Sequence, residues 1–301
     1  MKCFILKIGI FFAILGIVLL SLEFCVRSVP NEYSYKYNYL EKNINNVEIL
    51  CVGSSAARSA IDPECFVQNA FNVAQVSQDL EQDCAIIHKY INRADSLKMI
   101  IFPILPMAYS YRMGEGIEAW RLRKYPIYMK LDVAKPSLSD RFEISNFSGS
   151  IEQIIKYLKG EETVTCYTKG MGDDNAVDGE DAKIAQGLKI SQMHNEHFFR
   201  DDYDIIVPIM EKTIKECADY HIDVVIAVLP CYYTYSDNID RIMVSDCDSI
   251  SHYLADKYSN VTYFDLFTNS SFNTDDFRNS NHLSQVGAKK LTKKIIQLLG
   301  L

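Results

Sequence analysis

The residues that could do chemistry in this chain of 301 residues begin with a short turn, Gly53-Ser54-Ser55. The turn directly follows residues 47–52, an apolar run that is typical of a buried parallel strand. A serine on a tight turn between a strand and a helix stands exposed, and its backbone N–H can donate to a developing oxyanion. The pattern fits a nucleophile at Ser55, but a structural Gly/Ser turn is the more common case of such a pattern taken alone.

A second pattern lies at residues 279–283, between the last predicted strand and the last predicted helix, and it contains His282. An imidazole there could take a proton from Ser55 as a general base. The amide oxygen of Asn279 could accept a hydrogen bond from the ring and hold its tautomer. A structural or solvent-exposed loop histidine is the alternative.

These residues need elements that bring them together. Short apolar segments alternate with helical patterns, which predicts a three-layer α/β/α fold around a parallel five-stranded sheet of the flavodoxin-like kind. Reactive groups gather at the carboxyl ends of the strands in such sheets. The predicted strands are residues 47–52, 69–73, 98–104, 224–229 and 261–264.

Two serines are predicted to cap helices. Ser77 precedes a helix with an apolar face that includes Leu80 and Cys84, and Ser284 precedes the final helix with its apolar face.

The order and spacing of these motifs resemble the SGNH/GDSL hydrolase superfamily, especially its membrane-anchored, exported members associated with bacterial surface glycans. Ser55 matches the nucleophile of the Gly-Asp-Ser block, and His282 matches the base of the Asp-x-x-His block. Residues 71–74 resemble the Asn-x-Gly block, with Asn72 at its asparagine and Ala74 at its oxyanion glycine. The resemblance covers residues 46–106 and 201–300.

The chain departs from the family pattern at three places. Asn279 stands where the triad aspartate is expected, and Ala74 replaces glycine. The Gly-x-Asn-Asp block has no counterpart, because residues 103–109 follow that strand instead. Asp275 or Asp276 is an alternative group to orient His282. The resemblance therefore implies a slow hydrolase, a serine–histidine dyad enzyme or an inactive homologue.

Further candidates are weaker. Arg58 could hold a substrate carboxylate or phosphate, or lie on a helix surface. His194 and His197 are interpreted as surface residues, and the acidic residues within 173–178 as a solvated loop. We predict neither a bound metal nor a cofactor.

The N-terminus predicts a membrane anchor over residues 1–27, with a cleaved signal peptide as the alternative. About 20 apolar residues can span the roughly 30 Å of a bilayer core. Lys2 and Lys7 favour a cytoplasmic N-terminus and a body outside the cytoplasm. Residues 28–45 are interpreted as a tether, and residues 46–301 as the catalytic-type domain with an insertion or lid at 107–198.

Composition restricts the partners. A net charge of −8 and the lack of a Lys/Arg run disfavour nucleic acid binding. The nine cysteines contain no CxxC pair and are expected to be mostly buried, free thiols. The resemblance implies an esterase, deacylase or O-acyltransferase acting on acyl esters of an exported glycan or on small esters, with partners in polysaccharide export or acylation. The alternative is an inactive member that binds glycan or assists assembly.

Overall fold

The structure is a computed structural model that describes residues 2–132, 138–172 and 176–301. Asp173, Asp174 and Asn175 of the predicted acidic loop therefore lie outside the described residues.

Five parallel strands form one sheet in the order β2-β1-β3-β4-β5, which confirms the predicted fold class. Every residue of the first three strands is buried, as expected of a sheet covered on both faces. The strands are β1 (Ile49–Cys51), β2 (Ala70–Asn72), β3 (Met99–Ile104), β4 (Asp223–Val228) and β5 (Val261–Asp265).

Ten α-helices accompany the sheet in the described ranges. They are α1 (Lys2–Ser28), α2 (Glu32–Asn43), α3 (Ser55–Ala60), α4 (Leu80–Tyr90), α5 (Phe147–Leu158), α6 (Glu180–Glu196), α7 (Tyr203–Asp219), α8 (Tyr233–Ser236), α9 (Arg241–Lys257) and α10 (Gln285–Leu299).

The order in which successive strands are added to the sheet reverses its direction at β1. The chain leaves β1 through α3 to reach β2 at the edge, and then crosses back through α4 to β3. Right-handed crossovers place α3 and α4 on opposite faces. Accordingly, α3 packs against α10, whereas α4 packs against α7. The crevice at such a reversal, outside the carboxyl ends of the strands, is where open α/β sheets bind ligands.

Helix α10 is held tightly against its neighbours. Ser284 caps it by accepting a hydrogen bond from the Gly287 N–H, as predicted. Ala288, Leu291 and Ile295 are fully buried. Gly287 lies so close to Asp276 that an added Cβ would collide with the Asp276 carbonyl oxygen. This packing fixes the loop that precedes the helix.

The predicted cap of α4 is wrong. Ser77 has a left-handed backbone with φ of +59°, and the cap is Asp79, whose carboxylate accepts from the Gln82 N–H. The helix therefore begins later than Ser77 suggested. Five cysteines are buried as small hydrophobes, namely Cys51, Cys84, Cys217, Cys231 and Cys247.

The chain divides into two compact units. The larger comprises Tyr39–Glu118 and Cys166–Leu301 and contains the whole sheet and both candidate site loops. The smaller comprises Met1–Asn38 and Ala119–Thr165. The segment predicted as an insertion thus contributes to both units, and most of the segment predicted as a tether is helical.

Within the smaller unit, α1 is long and apolar enough to cross a membrane from Cys3 onward. Such a helix fits a single-pass anchor or a signal sequence. Its last turns belong to the folded unit, because the buried Glu23 carboxylate accepts the N–H groups of Glu143 and Ile144 at 3.1 and 3.0 Å. Val26 is fully buried as well.

Candidate active site

Ser55 is the first residue of α3 and follows β1 through a sharp turn. Gly53 makes the turn with φ of +121°, a region that favours glycine. A side chain there would also press on Ala57 Cβ at 2.7 Å and on the Pro103 carbonyl oxygen at 3.1 Å. Ser54 caps the helix, which leaves the Ser55 N–H among the first helical N–H groups that have no partner inside the helix.

His282 meets this serine from a loop far along the chain. Its Nε2 lies 2.9 Å from Ser55 Oγ, although the two residues are 227 positions apart. Both side chains are partly buried, so the hydrogen bond between them is partly shielded from solvent and partly accessible to it. The distance lies within the range for direct proton transfer.

Asn279 fixes the tautomer of this histidine. Its Oδ1 accepts the backbone N–H of His282 at 3.0 Å and that of Asn281 at 3.3 Å, which identifies this atom as the oxygen. The same oxygen lies 2.9 Å from His282 Nδ1, so Nδ1 must carry a proton there. Nε2 is then the acceptor, and it faces the Ser55 hydroxyl.

The loop itself is held by backbone hydrogen bonds. Phe277 pairs with Leu283 as an antiparallel bridge, and the Arg278 N–H donates to the His282 carbonyl at 3.0 Å. The Tyr232 N–H donates to the Ser280 carbonyl at 2.9 Å. The loop that carries His282 is therefore closed on itself and tied to the segment after β4.

Asp276 does not orient His282. Its buried carboxylate accepts the Asn273 N–H at 2.9 Å and binds Lys290 Nζ at 2.5 Å. The alternative role predicted for it is wrong, because its charge is used to cap a 3₁₀ turn and to pair with α10.

Three predicted binding residues are not brought to the cleft. Asn72 is fully buried, and its amide donates to the Ala57 and Ile61 carbonyls at 3.1 and 3.0 Å. Its Oδ1 accepts the Ala74 N–H at 3.1 Å, which occupies the donor predicted for the oxyanion. Asn72 thereby supports helix α3, which begins at Ser55, through hydrogen bonds inside the protein.

Arg58 is also buried, at 3% exposure, and lies against Gly172. Its carbonyl accepts the Gly172 N–H at 2.9 Å. Neither of its predicted positions, at the substrate or on a helix surface, is correct, since the guanidinium is buried beside Gly172.

A cavity of about 230 Å³ opens beside Ser55 in the larger unit. Residues 103–105 at the carboxyl end of β3 form part of its wall, and Asn281 borders it together with Ser55. The rest of the wall combines apolar side chains such as Leu80 and Met193 with polar ones such as Gln78 and Glu118. The cavity lies at the crevice that the sheet topology predicts.

Two buried carboxyl groups lie under this cavity. Asp83 Oδ1 accepts the Gly53 N–H at 2.7 Å and Gln78 Nε2 at 2.6 Å. Burial raises the pKa of Asp83 to about 8 and that of Asp79 to about 7, because the charged form loses its hydration. Through its hydrogen bond with the Gly53 N–H, Asp83 holds the turn that leads to Ser55.

The sequence interpretation missed Asp83. The signal was present, because position 83 falls on the same helical face as Leu80, Cys84 and Ile87, where a carboxyl group must be buried.

His194 is not a surface residue as predicted. It is 8% exposed, and its Nδ1 lies 2.7 Å from the Tyr235 hydroxyl. Burial lowers the pKa of His194 to about 4, so the ring is neutral at physiological pH. His197 remains partly exposed and borders the cavity with it. Within the described ranges, no cluster of three His, Cys, Asp or Glu side chains is arranged to hold a metal ion.

No family model matches this chain, and no curated protein matches it either. Several solved structures are similar to it, and two of them are described here. One, from Streptococcus pneumonia, is provisionally described as a platelet activating factor; it is 12% identical, with a TM-score of 0.44 and coverage of 97% of this chain and 99% of that chain. The other, provisionally described as an acylhydrolase from Bacteroides fragilis NCTC 9343, is 9% identical, with a TM-score of 0.41 and coverage of 87% and 93%.

Proposed function

We propose that this protein is a serine hydrolase or acyltransferase that acts on esters. The observation that carries the proposal is the hydrogen-bonded series from Ser55 Oγ to His282 Nε2 and from His282 Nδ1 to Asn279 Oδ1, with both distances 2.9 Å. A nucleophile, a base and a group that orients the base are the parts that acyl transfer requires.

Each group has a defined task in the reaction. His282 Nε2 accepts the hydroxyl proton as Ser55 Oγ bonds to the ester carbonyl carbon. The resulting imidazolium protonates the departing alkoxide, and an acyl-enzyme remains on Ser55. His282 then takes a proton from water as that water bonds to the acyl carbon. The imidazolium returns the proton to Ser55 Oγ as the bond between this oxygen and the acyl carbon breaks, which releases the acid and restores the serine. A sugar hydroxyl in place of that water gives acyl transfer.

The oxyanion needs donors that are not already used. The Ser55 N–H at the start of α3 is one candidate. The Ala74 N–H is engaged by Asn72, and the backbone N–H of Asn281 donates to Asn279. We therefore propose the side-chain amide of Asn281 as a second donor, since that residue borders the same cavity as Ser55.

For the substrate and setting, we propose an acylated exported glycan handled outside the cytoplasm by a membrane-anchored enzyme. The glycan follows from the resemblance to SGNH hydrolases. An uncleaved α1 is supported by the burial of Glu23 and Val26, because cleavage after residue 27 would remove both from the smaller unit.

A second candidate is a non-catalytic protein that uses the cleft to bind glycan. Asn279 favours it, because an amide supplies no negative charge to stabilise an imidazolium.

A fluorophosphonate probe applied to the full-length chain in detergent distinguishes the two. The enzyme predicts labelling of the wild type that is lost in Ser55→Ala and in His282→Gln. The control is Ser249→Ala, which removes an exposed serine hydroxyl on α9. Absence of labelling of the folded wild type at any pH would favour the binding role.

A further inference from the structure

Helix α5 carries an apolar stripe that the other described elements of the smaller unit leave largely exposed. Four large apolar residues recur every three or four positions and therefore share one face of the helix, namely Phe147, Ile151, Ile155 and Leu158. Phe147 is 57% exposed, Ile155 44% and Leu158 77%. A continuous row of large apolar side chains on a protein surface marks a site that another apolar surface covers.

The side of α5 opposite the stripe is charged. Glu152 and Lys156 form an ion pair at 2.8 Å, and both side chains are exposed. At about 3.6 residues per turn, the positions from Phe147 to Lys156 make roughly two and a half turns, so these two residues lie on opposite sides. An exposed apolar stripe with a charged side opposite it is typical of helices that lie in a membrane interface.

Hydrogen bonds fix the start of α5 beside the end of the apolar helix α1. Residues 8–22 of α1 carry no charge, and Glu23 ends this run. The Glu23 carboxylate accepts the N–H groups of Glu143 and Ile144, and the buried Ser150 on α5 donates from its hydroxyl to the Glu143 carbonyl at 2.8 Å. Helices α1 and α5 are also in contact. The first turns of α5 therefore lie at the level where an anchoring α1 leaves the hydrocarbon core and enters the headgroups.

We propose that α5 lies along the membrane surface, with its apolar stripe in the boundary between headgroups and acyl chains. Such helices bury their apolar face about 5–10 Å into that boundary. Lipid is the occupant, because α1 already holds the stripe beside the bilayer within the same chain, whereas a second copy would have to be recruited from solution or from elsewhere in the membrane. The inference rests on the membrane anchor of the proposed function and adds a second membrane contact to it.

The test is tryptophan fluorescence of the full-length chain in phosphatidylcholine vesicles. The chain has a single tryptophan, so Trp120→Phe gives a background in which one introduced tryptophan supplies the signal. Leu158→Trp and Phe147→Trp place an indole at the two ends of the stripe. Lys156→Trp is the matched control on the charged side of the same helix. All three positions are exposed, and folding is checked by circular dichroism.

Lipids brominated in the upper part of their acyl chains quench an indole that lies beside them. They should lower the emission of both stripe variants about twofold and leave that of Lys156→Trp nearly unchanged, because only the stripe reaches the acyl chains. Iodide dissolved in the water should act in the opposite order and quench the control most strongly.

The outcomes separate this inference from the proposed function. An anchored chain in which bromolipids quench neither stripe variant, quench Phe147→Trp alone, or quench the control equally would overturn the placement of α5. Emission of Leu158→Trp that shifts to the red when the chain is diluted with more lipid would overturn it too, since a second copy would then cover the stripe. Release of the whole chain from the vesicles at alkaline pH would instead refute the membrane anchor. Ester hydrolysis by the same samples tests the catalytic part of the proposed function separately.

Discussion

Replacing Asn279 by aspartate tests the assignment of the site most directly. Asn279 Oδ1 receives the Nδ1–H of His282 at 2.9 Å and two backbone N–H groups. A carboxylate can keep all three hydrogen bonds through the same oxygen, so the substitution adds a charge at a position already shaped for an acceptor.

The expected gain follows from Coulomb's law. Two unit charges about 4 Å apart interact by about 4 kcal/mol at an effective dielectric constant of 20. The site is partly open to solvent, so we expect about a third of this, roughly 1.4 kcal/mol, to favour the imidazolium that forms in the transition state. That amount corresponds to about a tenfold increase in kcat/KM.

The assay compares ester hydrolysis and the rate of fluorophosphonate labelling across pH. A carboxylate stabilises the imidazolium and raises the pKa of His282, so the pH above which the base becomes active should move upward in Asn279→Asp. Asn279→Leu, of similar size but without an acceptor, is the control and should lose about 10²- to 10⁴-fold because the ring is free to adopt the wrong tautomer.

An unchanged or slower Asn279→Asp enzyme with an unshifted pH profile would refute the reasoning. It would mean that another group orients His282, or that proton transfer to His282 does not limit the reaction.

Three other substitutions test the supporting structure. In Asp83→Asn, thermal unfolding should lose part of its pH dependence. Burial raises the pKa of Asp83 in the folded wild type to about 8, so the folded protein keeps a proton that the unfolded chain releases. The stability of the wild type should therefore fall by up to about 1.4 kcal/mol per pH unit between about pH 4 and pH 8. The same slope in the variant would contradict a protonated Asp83. Asp276→Asn should lower the free energy of unfolding in urea by about 1–3 kcal/mol, because its ion pair with Lys290 is lost. Its kcat/KM should stay within about twofold of the wild type. A hundredfold lower kcat/KM in the folded variant would restore Asp276 as the orienting group. Gly287→Ala should lower the free energy of unfolding by about 2–3 kcal/mol, because its Cβ collides with the Asp276 backbone, and a neutral effect would show that α10 is not held so tightly.

The sheet was predictable because its signal is local. Continuous apolar runs bounded by turns mark β1 to β5, and their ends shifted by at most a few residues between prediction and structure. The cap of α4 was misjudged for a local reason as well, since serine and aspartate both cap helices and only the backbone angles at Ser77 distinguish them.

The binding roles predicted for Asn72, Ala74 and Arg58 failed for a different reason. Their side chains or N–H groups were expected to point outward, but burial gave each of them a partner inside the protein. Sequence position specifies which groups are near the turn. It does not specify which of these groups find a partner inside the folded protein.

The sequence by itself determined the alternating strands and helices, the apolar N-terminal helix, and the two loops at which a serine and a histidine follow strands. Backbone geometry sets the spacing of apolar residues, so these features can be recognised within a window of a few residues. Only the tertiary structure decided that Ser55 and His282 meet at 2.9 Å, that Asn279 and not Asp276 holds the ring, and that a cavity adjoins the serine. Those outcomes depend on how α3 and α10 pack over one face of the sheet, which is a property of contacts between residues far apart in the chain.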